Sequence, residues 1–563
     1  MPISKQRMSS IFRTPKPALA SILAFLLSLP LIYLLKIPQN DVASRYAPMA
    51  EAFAAGQWGF AFHPRVPPLH TVTAGLFAAG LNVNGFTATQ LASALFFALG
   101  ILPFYGLLRK VFSSKAAFTG IFLYLFCAPW LQLAYSGLRD SAKGFLLLLA
   151  VYGAVSVFQH LGKWNGYLWT AIGSAGLALT RGDCLLYALL LLGAIFLMEL
   201  RQSRPFRFPL RSLIAAVLFS LLIAPWIQYQ YKTIGYPVTA VQQVSVLKKI
   251  ESQFGITLPF QAPVSSAATA QPPDHKPSNE FVVENTARPP STEQLTRSPV
   301  ASLPRVALPQ RMKEHTVPEF LKSLTSGFYP PFAILALPVI FYRIRKKIWT
   351  ALETLLLTTV LLHAILQVGQ IALADRILYV SSRYLISATP LYFGWAALGL
   401  NAAYPIACRY LRSPKRVNFF IIIILCLLAG LYLHAGGRVI RSFTSGKKRV
   451  QQHAILSSAA WIRTRYPESG TFNDTLSIDP HRYQSGRSPV VLSSEPSVGF
   501  FSHGQDMDLN QPIQDLQTFC SKNGVDFLVL YRHEAERMGL DEISAGFVSD
   551  PGKYGMRVFD LRP

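Results

Sequence analysis

Residues 36–70 read KIPQNDVASRYAPMAEAFAAGQWGFAFHPRVPPLH and follow the first long apolar run of the chain, at 18–35. The stretch is polar where the run before it is apolar, and a Pro-rich turn closes it. A polar segment directly after a membrane-length run is expected at the mouth of a membrane domain. Its candidate functional side chains are Asp41, Arg45, Tyr46, His63, Arg65 and His70.

The composition of the chain predicts an α-helical polytopic membrane protein. Of its 563 residues, 51% are hydrophobic and only 14% are charged, whereas a soluble protein carries roughly 25% charged residues. The first run lacks a small-residue cleavage site, so we expect an uncleaved first span. Hydropathy predicts about eleven spans, at 18–35, 87–108, 116–134, 143–159, 165–180, 183–200, 211–229, 328–342, 349–371, 384–404 and 417–436.

The net charge of +25 is explained by topology rather than by nucleic-acid binding. Lys and Arg collect in alternate short loops, which marks those loops as cytoplasmic. No run of interleaved basic and aromatic residues points to nucleic acid. The opposite, outward loops hold few basic residues, and topology does not explain them, so they are candidates for function. These residues are Lys36, Arg45, Arg65, Arg139, Lys143, Arg181, Arg376 and Arg383.

The chain divides into a membrane domain at 1–436 and a soluble domain at 437–563. The membrane domain contains a long outer loop at 231–327, whose Pro/Ser-rich part at 260–310 lacks the large apolar residues that a core needs. Helix signals return at 313–326, and 69–81 is apolar but too short to span. The soluble domain reads as a small α/β domain outside the cytoplasm. Its predicted helices are 453–466 and 512–524, and its predicted strands are 489–494, 525–531 and 556–561.

Each candidate residue has a structural alternative. Asp41 can be a catalytic carboxylate, or a solvated group or N-cap for a helix at 42–55. The cations of the outward loops can snorkel at helix ends, but several together suit a phosphate at headgroup depth. Asp140 and Asp183 can pair with these cations or supply a second acid. The two histidines of the first loop lack convergent partners for a metal, which favours substrate contact or turn structure. The five cysteines read as buried apolar residues.

Eight segments in order along the chain resemble polyprenyl-phosphate-sugar transferases of the GT-C class. The resemblance is to bacterial dolichyl-phosphate-mannose–protein mannosyltransferase-like enzymes and lipid A aminoarabinose transferases. The segments are DVASRYAPMAEAFAAGQW (41–58), FHPRVPPLHTVTAGLF (62–77), GSAGLALTRGDCLLYALLLL (173–192), APWIQYQYKTIGYPVTA (224–240), SSRYLISATPLYFGWAALGL (381–400), AAWIRTRYP (459–467), GVDFLVLY (524–531) and RVFDL (557–561).

The resemblance implies a catalytic carboxylate at Asp41 and donor-phosphate contacts at Arg181 and Arg383. Beside them, Arg139 and Lys143 are further candidates for the phosphate. The substrate-contact candidates are Arg45, Tyr46, His63, Arg65, His70, Asp140 and Tyr384. The chain departs from the family pattern at Val42, where the family has a second acidic residue, and at Gly182-Asp183, where it has Pro-Glu.

The sequence therefore predicts a glycosyltransferase of the bacterial inner membrane with its soluble domain in the periplasm. It would move a sugar, with inversion, from a polyprenyl-phosphate donor to an acceptor protein, lipid A or other envelope glycan. Its expected partners are that donor, the acceptor and membrane lipids, and no nucleic acid. It requires no particular cofactor, and a divalent metal is left open. A transporter or flippase of a lipid-linked glycan, or an inactive envelope-assembly scaffold, is the alternative.

Overall fold

A computed structural model describes residues 17–35, 37–202, 209–240, 243–244, 317–375, 381–410, 423, 426–427, 430–437, 445–465, 489–502, 505–508, 515–540, 545–549 and 555–562. The Pro/Ser-rich segment at 260–310, the basic amino terminus and half of the predicted span at 417–436 lie outside these residues. What is described is a bundle of apolar helices followed by a small α/β region. The fold class predicted from the sequence is therefore confirmed.

The described membrane part consists of helices. Three of them begin at side-chain caps: Asn84 accepts a hydrogen bond from Thr87 N, Ser113 accepts one from Ala116 N, and Thr350 accepts one from Glu353 N. The helices are α1 (Pro17–Leu34), α2 (Ala47–Ala54), α3 (Trp58–Ala61), α4 (Leu69–Leu81), α5 (Gly85–Val111), α6 (Ser114–Phe126), α7 (Ala128–Tyr135), α8 (Asp140–Gln159), α9 (Trp164–Thr180), α10 (Leu185–Gln202), α11 (Leu210–Ile234), α12 (Val317–Gly327), α13 (Pro330–Arg345), α14 (Ala351–Asp375), α15 (Ser382–Ile386) and α16 (Phe393–Tyr410).

Six helical segments in the described residues are long and apolar enough to cross a membrane. The total is eight if two bent pairs each count as one span, namely α6 with α7 and α12 with α13. These eight coincide with eight of the predicted spans. Helix α9, with 17 residues, matches the span predicted at 165–180. The span predicted at 384–404 is broken, because a 3-10 turn (Thr389–Tyr392) separates α15 from α16.

Small residues allow α8 and α9 to pack closely. A Cβ atom on Gly173 would lie 2.5 Å from the backbone nitrogen of Ala150, and a Cβ on Gly153 would collide with Thr170. Lipid tails are as apolar as the helices, so van der Waals contact rather than the hydrophobic effect holds membrane helices together. The glycines therefore bring the first residue of α8 beside the last residues of α9, which is where the candidate site lies.

The carboxy-terminal region contains a five-stranded mixed sheet of order β2-β1-β3-β5-β4. β1 pairs in parallel with β2 and β3, whereas β5 is antiparallel to β3 and β4. The three predicted strands correspond to β1, β3 and β5, and the two predicted helices to α17 and α19. Its elements are α17 (Gly446–Arg465), β1 (Val490–Ser493), α18 (Pro496–Phe501), β2 (Gln505–Asp508), α19 (Leu516–Lys522), β3 (Phe527–Tyr531), α20 (Arg532–Arg537), β4 (Phe547–Val548) and β5 (Met556–Asp560).

The α/β region packs against the loop at 36–70. Helix α18 contacts a π-helical turn at Val42–Tyr46. Val42 and Ala43 are fully buried there and belong to the same apolar cluster as Val498 and Phe501 of α18. The α/β region is therefore anchored on the segment that follows Asp41.

Candidate functional site

The predicted site residues meet at one face of the helix bundle, which we call the site face. Helices α1 and α9 end there, and α8 begins there. The first outer loop and α15 lie at the same face, since Arg383 of α15 contacts Asp41 of the loop. The opposite face holds a separate ion pair, Arg343 with Glu353. Charged residues of the described loops thus converge, although up to 342 positions separate them in sequence.

Asp41 forms an ion pair with Arg383. The Nη2 of Arg383 donates to Oδ2 of Asp41 over 2.7 Å, and the two side chains are 30% and 33% exposed. Burial would raise the pKa of the Asp41 carboxyl, but the positive charges of Arg383, Arg45 and Arg139 lower it below its usual range. Asp41 is therefore ionised at neutral pH.

The alternative in which Asp41 caps a helix at 42–55 does not hold. Asp41 has helical backbone angles and makes no side-chain capping bond. The chain turns as a π-helix over Val42–Tyr46 and then continues as α2. π-helical turns are rare overall but occur often at functional sites. The Asp41 carboxylate bonds to Arg383 instead of to its own backbone.

Arg181 is buried and held by two carboxylates. Its Nη1 lies 3.0 Å from Oδ1 of Asp140, and its Nε lies 2.9 Å from Oδ1 of Asp183. Burial opposes the charge on Arg181, but these two carboxylates outweigh that effect and raise its pKa. Asp140, which follows α7 in sequence, is 1% exposed. The sequence left open whether Asp140 and Asp183 pair with the cations, and both do.

Lys143 is fully buried one turn into α8. Its Nζ donates to the carbonyl oxygen of Tyr384 over 3.3 Å and lies 3.9 Å from Oδ2 of Asp183. The same carbonyl accepts a bond from Ser387 Oγ and lies 3.0 Å from His363 Nε2. These contacts hold α15 in place at Tyr384, the residue after Arg383. His363 was missed, although an ionisable residue inside an apolar span is itself a functional signal.

The ring of Tyr384 lies against two guanidinium groups. The guanidinium carbon of Arg181 is 4.3 Å from the ring centroid and that of Arg383 is 5.1 Å from it. Burial would raise the pKa of the Tyr384 hydroxyl, but the two arginines lower it overall. Cation–π contact orients both guanidinium planes at little entropic cost. Tyr384 therefore links the buried arginine of the site to the half-exposed one.

Tyr46 and Arg139 form the edge of the site next to the π-helical turn. The guanidinium of Arg139 lies 5.5 Å from the Tyr46 ring centroid, and its Nη1 donates to Thr180 O over 3.4 Å. His70 is 1% exposed, contacts Tyr46 edge to face and lies 3.2 Å from Ser93 Oγ. In the structure His70 is buried and packs against Tyr46. The side chain of His70 is therefore not available to a substrate.

His63 and Arg65 lie in the Pro-rich turn after α3. The Nδ1 atom of His63 accepts a hydrogen bond from Arg65 N over 3.2 Å. Burial, followed by the positive charges of Arg65 and Arg45, lowers the pKa of His63 to about 4. The neutral imidazole is therefore the form present at neutral pH, and its role is that of a turn-forming acceptor near Arg45.

The described side chains do not fit a divalent metal. No group of three or more His, Cys, Asp or Glu side chains in this part of the chain converges on one point. The carboxylates of the site are engaged with cations: Asp41 with Arg383, and Asp140 and Asp183 with Arg181. A metal would have to displace these arginines, so no catalytic step is assigned to one.

The site thus has two parts that differ in exposure. A half-exposed set can meet a ligand directly, and it consists of Asp41, Arg45, Arg139, Arg383 and Tyr384. A buried set stabilises the half-exposed set. The buried set consists of Asp140, Lys143 and Arg181. Arginine binds phosphate oxygens through two parallel bonds, and an ionised carboxylate accepts protons. Together they suit the binding of a phosphate ester and proton removal beside it.

Comparison with known proteins supports the fold assignment. No protein-family model and no curated protein matches the chain. Among solved structures, ArnT from Cupriavidus metallidurans in the apo state is similar, with a TM-score of 0.55, 14% identity and coverage of 96% of each chain. ArnT bound to undecaprenyl phosphate matches with a TM-score of 0.54, 14% identity, and coverage of 96% of this chain and 97% of that one.

The Archaeoglobus fulgidus oligosaccharyltransferase in its apo form also matches, with a TM-score of 0.48, 14% identity, and coverage of 92% of this chain and 70% of that one. ArnT, a lipid A aminoarabinose transferase, is a GT-C enzyme. The resemblance to GT-C proteins found in the sequence is thereby confirmed at the level of the fold. The chain is a multi-pass membrane protein with that fold.

Proposed function

We propose that this protein is a membrane glycosyltransferase that moves a sugar from a polyprenyl-phosphate donor to an acceptor at the site face. The observation that carries the proposal is the placement of one ionised carboxylate, Asp41, within reach of several arginines at the mouth of a helix bundle. The likeness to ArnT, which has been solved with undecaprenyl phosphate, supports a polyprenyl-phosphate carrier.

The reaction proceeds as a direct displacement. Asp41 removes the proton of an acceptor hydroxyl as its oxygen attacks the anomeric carbon. The bond from that carbon to the phosphate oxygen breaks, and polyprenyl phosphate leaves with the bonding electrons. Arg383, with Arg139 beside Tyr46, stabilises the charge that grows on the leaving phosphate. One base and one displacement invert the configuration at the anomeric carbon.

The site face is proposed to be the outer face of a bacterial inner membrane, with the α/β region in the periplasm. The basic residues of the opposite face, among them Lys110, Arg343 and Arg345, suit the cytoplasmic side. A lipid carrier is reached from the bilayer, and Arg383 lies at the end of the apolar helices where a headgroup would be. The acceptor is an envelope protein, lipid A or another glycan.

The test compares Asp41→Asn with the parent protein in vesicles that contain a radiolabelled polyprenyl-phosphate sugar and an envelope extract as acceptor. Asparagine keeps the shape but cannot accept a proton, so transfer should fall by roughly two to four orders of magnitude. Glu536→Gln, which changes an exposed carboxylate paired with Arg532, is the matched control and should transfer normally. Transfer by folded Asp41→Asn at the parent rate would contradict the assignment of Asp41 as the base.

A further inference from the structure

The Asp41–Arg383 pair joins the proposed base to a proposed phosphate ligand. The pairing uses Nη2 of Arg383 and Oδ2 of Asp41 at 2.7 Å, and the residues are 342 positions apart in sequence. Each of these two groups is needed elsewhere during transfer. Arg383 must face the donor phosphate, and Asp41 must face the acceptor hydroxyl.

Arg181, the buried arginine of the site, is not equally free to change partners. Arg181 is bonded to both Asp140 and Asp183 and is 7% exposed. Removing it from these carboxylates would leave buried charges unpaired, which is costly. The Asp41–Arg383 pair is about one third exposed on each side, and pairs of that kind are weak. A phosphate that arrives at the site therefore competes for Arg383 at lower cost than for Arg181.

Resting on the proposed function, we infer that the donor phosphate displaces Asp41 from Arg383 and so frees the base only after the donor is bound. Tyr384 contacts the same guanidinium, with its ring centroid 5.1 Å from the guanidinium carbon and its hydroxyl 3.4 Å from Nη2, and this contact does not depend on Asp41. Asp41 is then an internal competitor of the donor as well as the base. The reaction is consequently ordered, with the donor before the acceptor.

Replacement of Asp41 by the phosphate at Arg383 has a consequence that a simple phosphate-binding site does not have. Loss of the Asp41 charge should improve binding of a polyprenyl phosphate while it abolishes transfer. The gain should require Arg383, because Arg383 is the group that is released. A carboxylate that merely repelled the phosphate through space would give the gain with or without Arg383.

The experiment measures binding of farnesyl phosphate, a short polyprenyl phosphate without sugar, to the purified full-length protein by titration calorimetry. Farnesol serves as the uncharged control ligand, and Glu536→Gln as the remote carboxylate control. We expect Asp41→Asn to bind farnesyl phosphate about tenfold more tightly than the parent, which is a typical coupling between contacting charges. Arg383→Gln should bind more weakly, and Asp41→Asn should give no further gain when combined with Arg383→Gln.

Two outcomes would overturn the exchange. One is equal affinity of the parent and Asp41→Asn, and the other is a tenfold gain that persists in the Arg383→Gln background. Failure of the proposed function would look different, because neither the parent nor any folded variant would then prefer farnesyl phosphate to farnesol. The order of substrate addition gives a second readout, since donor binding should not need the acceptor.

Discussion

The Nη1 atom of Arg181, at the end of α9, lies 3.0 Å from Oδ1 of Asp140, at the start of α8. The pair is buried, and Asp183 holds the opposite side of the same guanidinium. Burying a charge is expensive unless it is paired and hydrogen-bonded. The two carboxylates therefore keep Arg181 charged and fix it against the ring of Tyr384.

Asp140→Asn should destabilise the protein more than Asp41→Asn does. Both changes remove one carboxylate partner from an arginine, but the Asp140 pair is buried and the Asp41 pair is about one third exposed. We expect a loss of about 1–3 kcal/mol for Asp140→Asn and about 0–1 kcal/mol for Asp41→Asn. Thermal melting in detergent measures both. Equal melting temperatures for the two variants would contradict the division of the site into a buried and a half-exposed set.

Phe501→Leu should lower the transfer rate although Phe501 lies in the α/β region. Phe501 and Val498 share an apolar cluster with Val42 and Ala43 of the π-helical turn, and a small displacement of a catalytic group lowers rates strongly. We expect transfer to fall about ten- to a hundredfold. Binding of farnesyl phosphate should change little, because Arg383 lies on α15.

Phe559→Leu is the matched control for that experiment. Phe559 lies in the second apolar cluster of the sheet, with Leu492 and Leu530, and does not share the cluster of the π-helical turn. It should reduce the melting temperature without a specific loss of transfer. An equal loss of transfer in both variants would mean that general stability of the α/β region, and not its contact with the first loop, matters.

Stability should fall in mild acid because of His63. The pKa of His63 is lowered from 6.5 to about 4 in the folded protein, so the unfolded chain binds the proton more readily. Its contribution to stability is complete above pH 6.5 and is lost as the pH falls toward 4. The melting temperature should drop by about 2–4 °C over this window. His63→Asn, which keeps an acceptor for Arg65 N, should remove that part of the drop, and an unchanged pH profile in this variant would exclude His63 as its source.

The orientation can be tested with single cysteines at two exposed positions, Arg345→Cys and Lys522→Cys. A membrane-impermeant maleimide applied to spheroplasts should label Lys522→Cys, because the α/β region is proposed to lie outside. Arg345→Cys should react only after the membrane is opened. The parent chain, whose Cys426 is exposed, supplies the background. The reverse pattern would place the site face in the cytoplasm and rule out transfer at the periplasmic face.

Much of the fold follows from local sequence patterns. The apolar runs predicted the spans between 18 and 371, and the stretches PVVLSS (489–494), VDFLVLY (525–531) and MRVFDL (556–561) predicted β1, β3 and β5. The strands β2 and β4 were not predicted, because β2 reads QDMD and is polar, and β4 has only two residues. The break between α15 and α16 at Thr389–Tyr392 was also not predicted, since hydropathy averages over a window longer than this four-residue turn.

The sequence by itself determined that this is a polytopic helical membrane protein, and that Asp41, Arg139, Lys143, Arg181 and Arg383 need an explanation beyond topology. Hydropathy and charge are local properties, so they can be read residue by residue. Only the tertiary structure decided that Arg383 pairs with Asp41, that Arg181 pairs with Asp140, and that Lys143 and His70 are buried. Pairing and burial depend on which helix ends the packing brings together, because electrostatic contacts act over a few ångströms and not along the chain.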